Sequence, residues 1–225
     1  MIDTENRKPV GRFITFEGPE GSGKTTHIAR LAEWLEGQGT PVVCTREPGG
    51  TRLGEALREL LQNSTLENAP VPRAEVLLFL ASRAQHVEGV IRPAIKRGEW
   101  VLCDRFSDST LAYQGYGRGF DLTQIRTADA FATCGLTPDL TMLLDVAPET
   151  SRARLAARQE RTATLPDRIE READAFHARL REGFLELARG EPGRFVVLTT
   201  DRTQESVAAD IREAIARRFF PEAAR

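Results

Sequence analysis

The sequence predicts an α/β domain, a parallel sheet with helices on both faces. Short β-branched and aromatic runs alternate with segments of helical period, and no repeat, linker or composition break divides the 225 residues. Right-handed crossovers lay helices over such a sheet, so its strands are covered on both sides. One domain spanning 1–225 follows, with residues 1–11 as a polar N-terminal tail.

Arg12–Phe16 (RFITF) reads as the first strand, followed at once by a glycine-rich turn and a helical pattern from Thr25 to about Glu36. Gly37 and Gly39 stop that helix, and Pro41–Thr45 (PVVCT) makes a second, buried strand. A loop of Arg46, Glu47, Pro48, Gly49, Gly50 and Thr51 opens a helix over about Leu53–Gln62. A long helix spans about Arg73–Val90, and Pro93 is expected to interrupt its continuation toward Gly98. Trp100–Cys103 is the third strand, ending in Asp104 and Arg105. Helical stretches over about Asp108–Gln114 and Leu122–Ala132 lead to a fourth strand at Leu140–Val146. A helix from about Pro148, an arginine-rich stretch to Arg168 and a helix to Ala188 precede the fifth strand, Phe195–Thr199. A last helix starts near Gln204.

Composition excludes several classes. The longest apolar run, Val76–Ala81, has six residues, against about 20 for a membrane-spanning helix. Met1–Gly11 lacks an apolar stretch of the secretory kind, so the expectation is a cytoplasmic protein without membrane attachment. Cys44, Cys103 and Cys134 are odd in number and widely spaced, which suits neither a disulfide framework nor a zinc site. His27, His86 and His177 share no metal-binding spacing and read as bystanders. A net charge of −2 gives no field to attract a nucleic acid polymer, so any anion must meet a local site.

That site is legible at Gly18-Pro19-Glu20-Gly21-Ser22-Gly23-Lys24-Thr25, which matches G-x-x-x-x-G-K-[ST] between a strand and a helix. Glycines let successive backbone N–H groups converge on phosphate oxygens, and the helix beginning at Thr25 adds its positive end. Only Lys8, Lys24 and Lys96 among 31 basic residues are lysine, so a lysine at the motif position is informative. Its compact charge fits between terminal phosphates as a planar guanidinium does not. As a solvent-facing loop residue it is expected to matter little for stability. The Thr25 hydroxyl suits Mg²⁺, with ATP as the phosphoryl donor. The chain is thus expected to be a P-loop NTPase.

The rest of the sequence favours transfer over hydrolysis. No lysine lies in an N-K-x-D context, which disfavours a guanine-reading switch. Asp104 ends the third strand where it can touch the Mg²⁺ shell, but Arg105 follows where a hydrolase would often place a carboxylate base. A phosphate acceptor needs no base, because its second pKa of about 6 leaves it mostly dianionic at neutral pH. It needs cationic clamps, and Arg46 and Arg105 sit at strand ends where ligands bind in open α/β sheets. The cradle's variable positions hold no arginine. Charge on the transferring group must therefore be met from Arg152, Arg154, Arg158, Arg161 and Arg168, which flank a threonine-rich segment suited to a closing lid.

Together, Phe16–Thr26 (FEGPEGSGKTT), Thr45–Thr51 (TREPGGT), Asp104-Arg105-Phe106, Tyr113-Gln114-Gly115 and Asp167-Arg168-Ile169-Glu170 resemble the bacterial thymidylate kinase family, over Phe13 to about Ile215. The resemblance implies the nucleoside monophosphate kinase fold, a five-stranded parallel sheet with a lid at about 154–168. It also implies ATP-dependent phosphorylation of dTMP to dTDP with Mg²⁺, serving dTTP synthesis, in a homodimer. Carried over by position, Gly18–Thr26 would cradle the donor phosphates, with Lys24 and Arg105 catalytic and Thr25 and Asp104 toward Mg²⁺. Glu20 would approach the sugar 3′-hydroxyl, and Arg46 and Arg105 would hold the acceptor phosphate. Phe79 would stack on thymine, while Arg83, Thr110 and Gln114 would bond the base edge. Tyr113 would crowd the sugar 2′ position, and Pro48 would be cis. The catalytic arginine would come from the lid, as Arg158, Arg161 or Arg168. Two departures stand out: the 158–167 stretch is longer and richer in threonine than the family's, and Phe106 replaces a usual Tyr or His.

Overall fold

The computed structural model describes residues 10–63, 69–162 and 172–220. Among these, five parallel strands form one sheet in the order β2-β3-β1-β4-β5. They are β1 (Arg12–Glu17), β2 (Val42–Arg46), β3 (Trp100–Asp104), β4 (Leu140–Asp145) and β5 (Phe195–Thr199). The central strand pairs Phe16 with Asp104 on one side and with Met142 on the other, so the carboxyl ends of β1, β2 and β3 finish level.

Alternation along the strands sorts the core. Ile14, Phe16, Leu102, Met142 and Leu144 face α1 (Lys24–Gly37) and α9 (Gln204–Phe219), packing on Leu31, Leu35, Val207, Ile211 and Ile215. On the opposite face, Phe13, Val101 and Cys103 meet Val87, Ile91 and Phe106. Leu143 and Phe195 meet Leu111, Tyr113, Leu180 and Phe184, the last two from α8 (Asp174–Gly190). Thr15 and Glu17 share β1's second face, where Thr15 Oγ1 and Thr141 Oγ1 bond at 2.9 Å.

The remaining helices are α2 (Arg52–Asn63), α3 (Pro72–His86), α4 (Arg92–Arg97), α5 (Ser107–Thr110), α6 (Leu122–Thr133) and α7 (Pro148–Thr162). Two differ from the sequence expectation. The helix continues through Pro93, which stands in the first turn of α4, but the α-helical ladder is interrupted just upstream of it by a π-helical turn, Val87–Ile91. The stretch read as helical over 108–114 is α5 followed by a second π-helical segment, Leu111–Gly117, which carries Tyr113 and Gln114. Cys103 is buried, and Cys44 and Cys134 are exposed.

Candidate active site

The loop after β1 is shaped by its glycines. Gly18 has φ 132°, and a Cβ there would sit 2.3 Å from the carbonyl oxygen of Leu144, so no other residue fits. Gly21 and Gly23 also take positive φ, and helix α1 begins immediately at Lys24. Contrary to the sequence expectation, Lys24 is not solvent-facing. It is 7% exposed, and Nζ donates to the carbonyls of Gly18 (3.0 Å) and Pro19 (2.8 Å) and to Ser22 Oγ (3.3 Å). The reach of the side chain back over its own loop produces that burial, a relation that spacing does not reveal. Burial pushes the ammonium down to about 8, and Arg105 adds to the fall, while Asp104 and Glu20 oppose it.

Next to the loop, Thr25 Oγ1 donates to Asp104 Oδ2 at 2.8 Å. This brings a hydroxyl and a carboxylate together at the sheet's carboxyl edge. Hard oxygen donors of this kind suit Mg²⁺, which takes few protein ligands and keeps waters and phosphate oxygens for the rest. The residues present therefore fit the metal.

Arg105 follows β3 with φ 72°, a left-handed conformation uncommon for a non-glycine residue. Its N–H donates to Phe16 O at 3.0 Å. Nη1 donates to Gly18 O (3.0 Å) and Ser109 Oγ (3.1 Å), Nη2 donates to Glu20 Oε1 (2.9 Å), and the guanidinium lies 5.0 Å from the Tyr113 ring centroid. Tyr113 OH donates to the same Glu20 oxygen at 2.6 Å. Burial alone would raise the Glu20 carboxyl, but Arg105 and Lys24 hold it below its ordinary range. Glu20 Oε2 is buried without a hydrogen-bond partner among the described residues, an acceptor left for a donor. Arg46, at the end of β2, is half exposed and pairs with Glu55 at 2.8 Å.

Beyond Arg105, the Glu47-Pro48 peptide is cis. Behind it, Arg83 is buried, with Nε donating to Glu47 Oε2 at 2.8 Å and Nη1 to Asp129 Oδ1 at 2.7 Å. His86 spans Glu47 Oε1 (2.9 Å) and Thr45 Oγ1 (2.6 Å) through its two ring nitrogens. Arg83 and His86, both in the last turn of α3, thus reach Glu47 from 36 and 39 positions away, and His86 has a structural place in this wall that its isolation in the sequence did not show.

These groups line one continuous cavity of about 660 Å³. Its wall includes Glu20 through Thr26, Arg46, Pro48, Phe79, Arg83, Asp104, Arg105, Thr110, Tyr113, Gln114, Arg158 and Arg161. Gly18 and Pro19 stand behind the wall and hold Lys24 through their carbonyls. Arg168 and the distal part of the expected lid lie outside the described residues. The sequence reading missed the far end of the cavity, lined by His27, Arg154, Thr200, Arg202, Gln204 and Val207. Their signal was positional, since Thr200 and Arg202 follow β5 at the carboxyl edge. Arg154 braces this end, donating to Gly21 O (3.2 Å) and to Thr200 O (2.6 Å).

Beneath Arg105 sits Glu17, fully buried, accepting from Phe106 N (2.8 Å) and Ser109 Oγ (2.6 Å). Burial first, and then the nearby Asp108 carboxylate, push its carboxyl up to about 8. A carboxyl whose folded pKa exceeds its unfolded value binds more protons when folded. Its contribution is complete below about pH 4.5 and fades as pH rises through about 8. Glu17→Gln is therefore expected to gain stability relative to the parent as pH rises from 5.5 to 8.5, by on the order of 1 to a few kcal/mol. Urea melts of both proteins across that range measure it; parallel stability curves would contradict the assignment.

The thymidylate kinase family profile matches residues 16–211. The chain is 52% identical over 202 residues to a thymidylate kinase of Carboxydothermus hydrogenoformans, covering 90% of this chain and 95% of that one. It is 50% identical over 208 residues to one from Deinococcus radiodurans, covering 92% and 98%. A crystal structure of thymidylate kinase from Ehrlichia chaffeensis superposes with a TM-score of 0.74 at 34% identity, over 92% of this chain and 100% of the other.

Proposed function

The chain belongs to the thymidylate kinase family and phosphorylates dTMP to dTDP with ATP; on that premise we propose how its cavity divides the work. The observation that carries the reading is the single cavity in which Lys24, Asp104 and Arg105 lie between two ends of different character. The donor triphosphate lies along Gly18–Thr26, with its base toward Thr200, Arg202 and Gln204. The acceptor monophosphate lies opposite, its phosphate against Arg46 and Arg105 and its base among Phe79, Arg83, Thr110 and Gln114. Glu20 Oε2, buried and unpartnered, takes the sugar 3′-hydroxyl as its donor. Tyr113, anchored on Glu20, crowds the 2′ position and favours a deoxyribose.

Chemistry here is positioning and charge neutralisation. Two anions repel, so the residues must hold the acceptor oxygen in line with the terminal phosphorus while cationic groups offset the charge between them. Lys24 and Arg105 meet that charge from the loop side, and Arg158, Arg161 or Arg168 meets it from the lid, read as about 154–168 of one domain spanning 1–225. Thr25 and Asp104 would hold Mg²⁺, which would supply positive charge to offset that of the donor phosphates. With the lid closed, water is excluded and transfer prevails over hydrolysis.

An apolar surface supports a homodimer. Leu53 and Leu60 on α2, Leu77 on α3 and Phe131 on α6 are 50%, 45%, 64% and 90% exposed, on helices that pack side by side. A patch of this kind marks a protein interface, and a second copy of this chain is the occupant we propose. No described helix is long and apolar enough to cross a membrane, and we take the enzyme to work in the cytoplasm.

Release of ADP with a panel of monophosphates tests the reading. dTMP is expected to be used best and dUMP next, about tenfold or more below it for the missing methyl. CMP is expected to be poor. A preference for CMP, or ATP binding without ADP release whatever the acceptor, overturns it.

A further inference from the structure

Glu75 on α3 is fully buried, and nothing in the phosphoryl-transfer account uses it. Its Oε1 accepts from Gln114 Nε2 at 3.0 Å and from Arg118 Nε at 2.9 Å, and Oε2 faces Arg118 Nη2 at 3.4 Å. Arg118, 17% exposed, also pairs with Glu172 at 3.0 Å. Burying a carboxylate is costly even when paired, and apolar residues would fill the same space at less cost. The arrangement is better explained by what it does to Gln114.

A carboxylate offers only acceptors, so the Gln114 atom facing it must be the amide nitrogen. Turned over, the amide would set its oxygen against Oε1 of Glu75, acceptor on acceptor in a buried position. Gln114 thus keeps its Oε1, which takes no hydrogen bond from a described residue, for the cavity it lines. Arg83 is fixed in the opposite sense. Its Nε and Nη1 are committed to Glu47 and Asp129, and a guanidinium has only donors to offer. The pocket wall therefore carries one donor and one acceptor of fixed polarity. Thymine and uracil present a carbonyl beside a ring N–H, which matches both. Cytosine presents an amine beside a bare ring nitrogen, which inverts both contacts and leaves donor facing donor.

We propose that Glu75, by locking the orientation of the Gln114 carboxamide, makes the acceptor pocket choose thymine-type over cytosine-type bases. It is a positioning residue, acting through Gln114, and the proposal rests on the base-pocket assignment above.

The test is Glu75→Leu. A glutamine would keep its carbonyl toward Gln114, because Arg118 Nε donates to the same oxygen, whereas a leucine offers Gln114 no acceptor and leaves the carboxamide free to turn over. Steady-state constants for dTMP, dUMP and dCMP are compared with the parent's. dTMP and dUMP are expected to lose about tenfold or more in kcat/KM together, mostly through KM, while dCMP holds or improves. Equal losses for all three, or an unchanged dTMP to dCMP ratio, overturns the role of Glu75. If the parent itself does not prefer dTMP to dCMP, the pocket assignment fails instead, so the two failures are told apart. Should Glu75→Leu lose its cooperative melt, the parent protein answers by ¹⁵N NMR. The Gln114 Nε2 protons, assigned by their absence in Gln114→Ala, are expected to exchange slowly with solvent, alike with dTMP or dUMP bound. Fast exchange in either complex overturns the lock.

Discussion

Lys24→Ala is expected to lower kcat by at least about 10²–10³-fold, with a change in stability under about 2 kcal/mol. The activity loss follows from position: Lys24 is the cation that the phosphate loop itself supplies, held by three bonds at 2.8–3.3 Å. A charge preorganised in a water-poor site offsets developing charge far better than the same charge in solvent. The small stability change has a different origin from the one the sequence suggested. Truncation takes one donor each from the Gly18 carbonyl, which keeps Arg105 Nη1, and from the Pro19 carbonyl, which keeps Ser22 N, a modest destabilisation. It also removes a buried ammonium whose burial is unfavourable, which stabilises, and the two effects oppose. A second consequence is a pH signature. With the ammonium pushed down to about 8, the free enzyme loses this charge as pH rises through that value. In the parent, kcat/KM for ATP is therefore expected to fall on the alkaline side of about 8, and in Lys24→Ala that limb should vanish. Turnover within tenfold of the parent, or an alkaline limb that survives the substitution, would remove Lys24 from the site.

Much of this was legible in the sequence because it is local. Five strands, the loop 18–25 and the arginines at strand ends depend on residues within a few positions of one another. β1 and β3 are short apolar runs, so the phosphate loop, Asp104 and Arg105 that follow them could be placed at one sheet edge by topology alone. What was not legible is the set of buried carboxylates. Glu17, Glu47 and Glu75 look like ordinary surface acids in a chain with 33 acidic residues. Each becomes interior only through partners far along the chain: Phe106 and Ser109 for Glu17, Arg83 and His86 for Glu47, Gln114 and Arg118 for Glu75. Periodicity reports which face of a helix is apolar, and it does not report a salt bridge across a pocket. The π-helical segment at Leu111–Gly117 escaped for a related reason. Its local pattern is that of an α-helix, and the wider turn is selected by packing on α8.

Arg105→Ala is expected to raise the dTMP KM and lower kcat together, for a loss in kcat/KM of about 10³-fold or more. A residue that only bound the acceptor would move KM alone; one that touched only the reacting charge would move kcat alone. Arg105 does both, because one guanidinium reaches Gly18 O in the donor loop and Glu20 Oε1 at the sugar end. Arg105→Lys tests whether charge suffices. It keeps the cation and loses the planar fork that serves three acceptors, so most of the loss is expected to remain. Arg105→Gly separates backbone from side chain: at φ 72° glycine is unstrained where alanine is not, so the glycine variant should be the more stable by up to about 1 kcal/mol and no more active. The coupling between the two cations supplies a further readout. Arg105 helps hold the Lys24 ammonium down near 8, so its removal should shift the alkaline limb of kcat/KM for ATP upward. That shift is measured at the donor site after a change assigned to the acceptor site, which a merely structural defect would not produce. Unchanged dTMP kinetics, or an unmoved limb alongside lost activity, would mean that the two anions do not share the field proposed here.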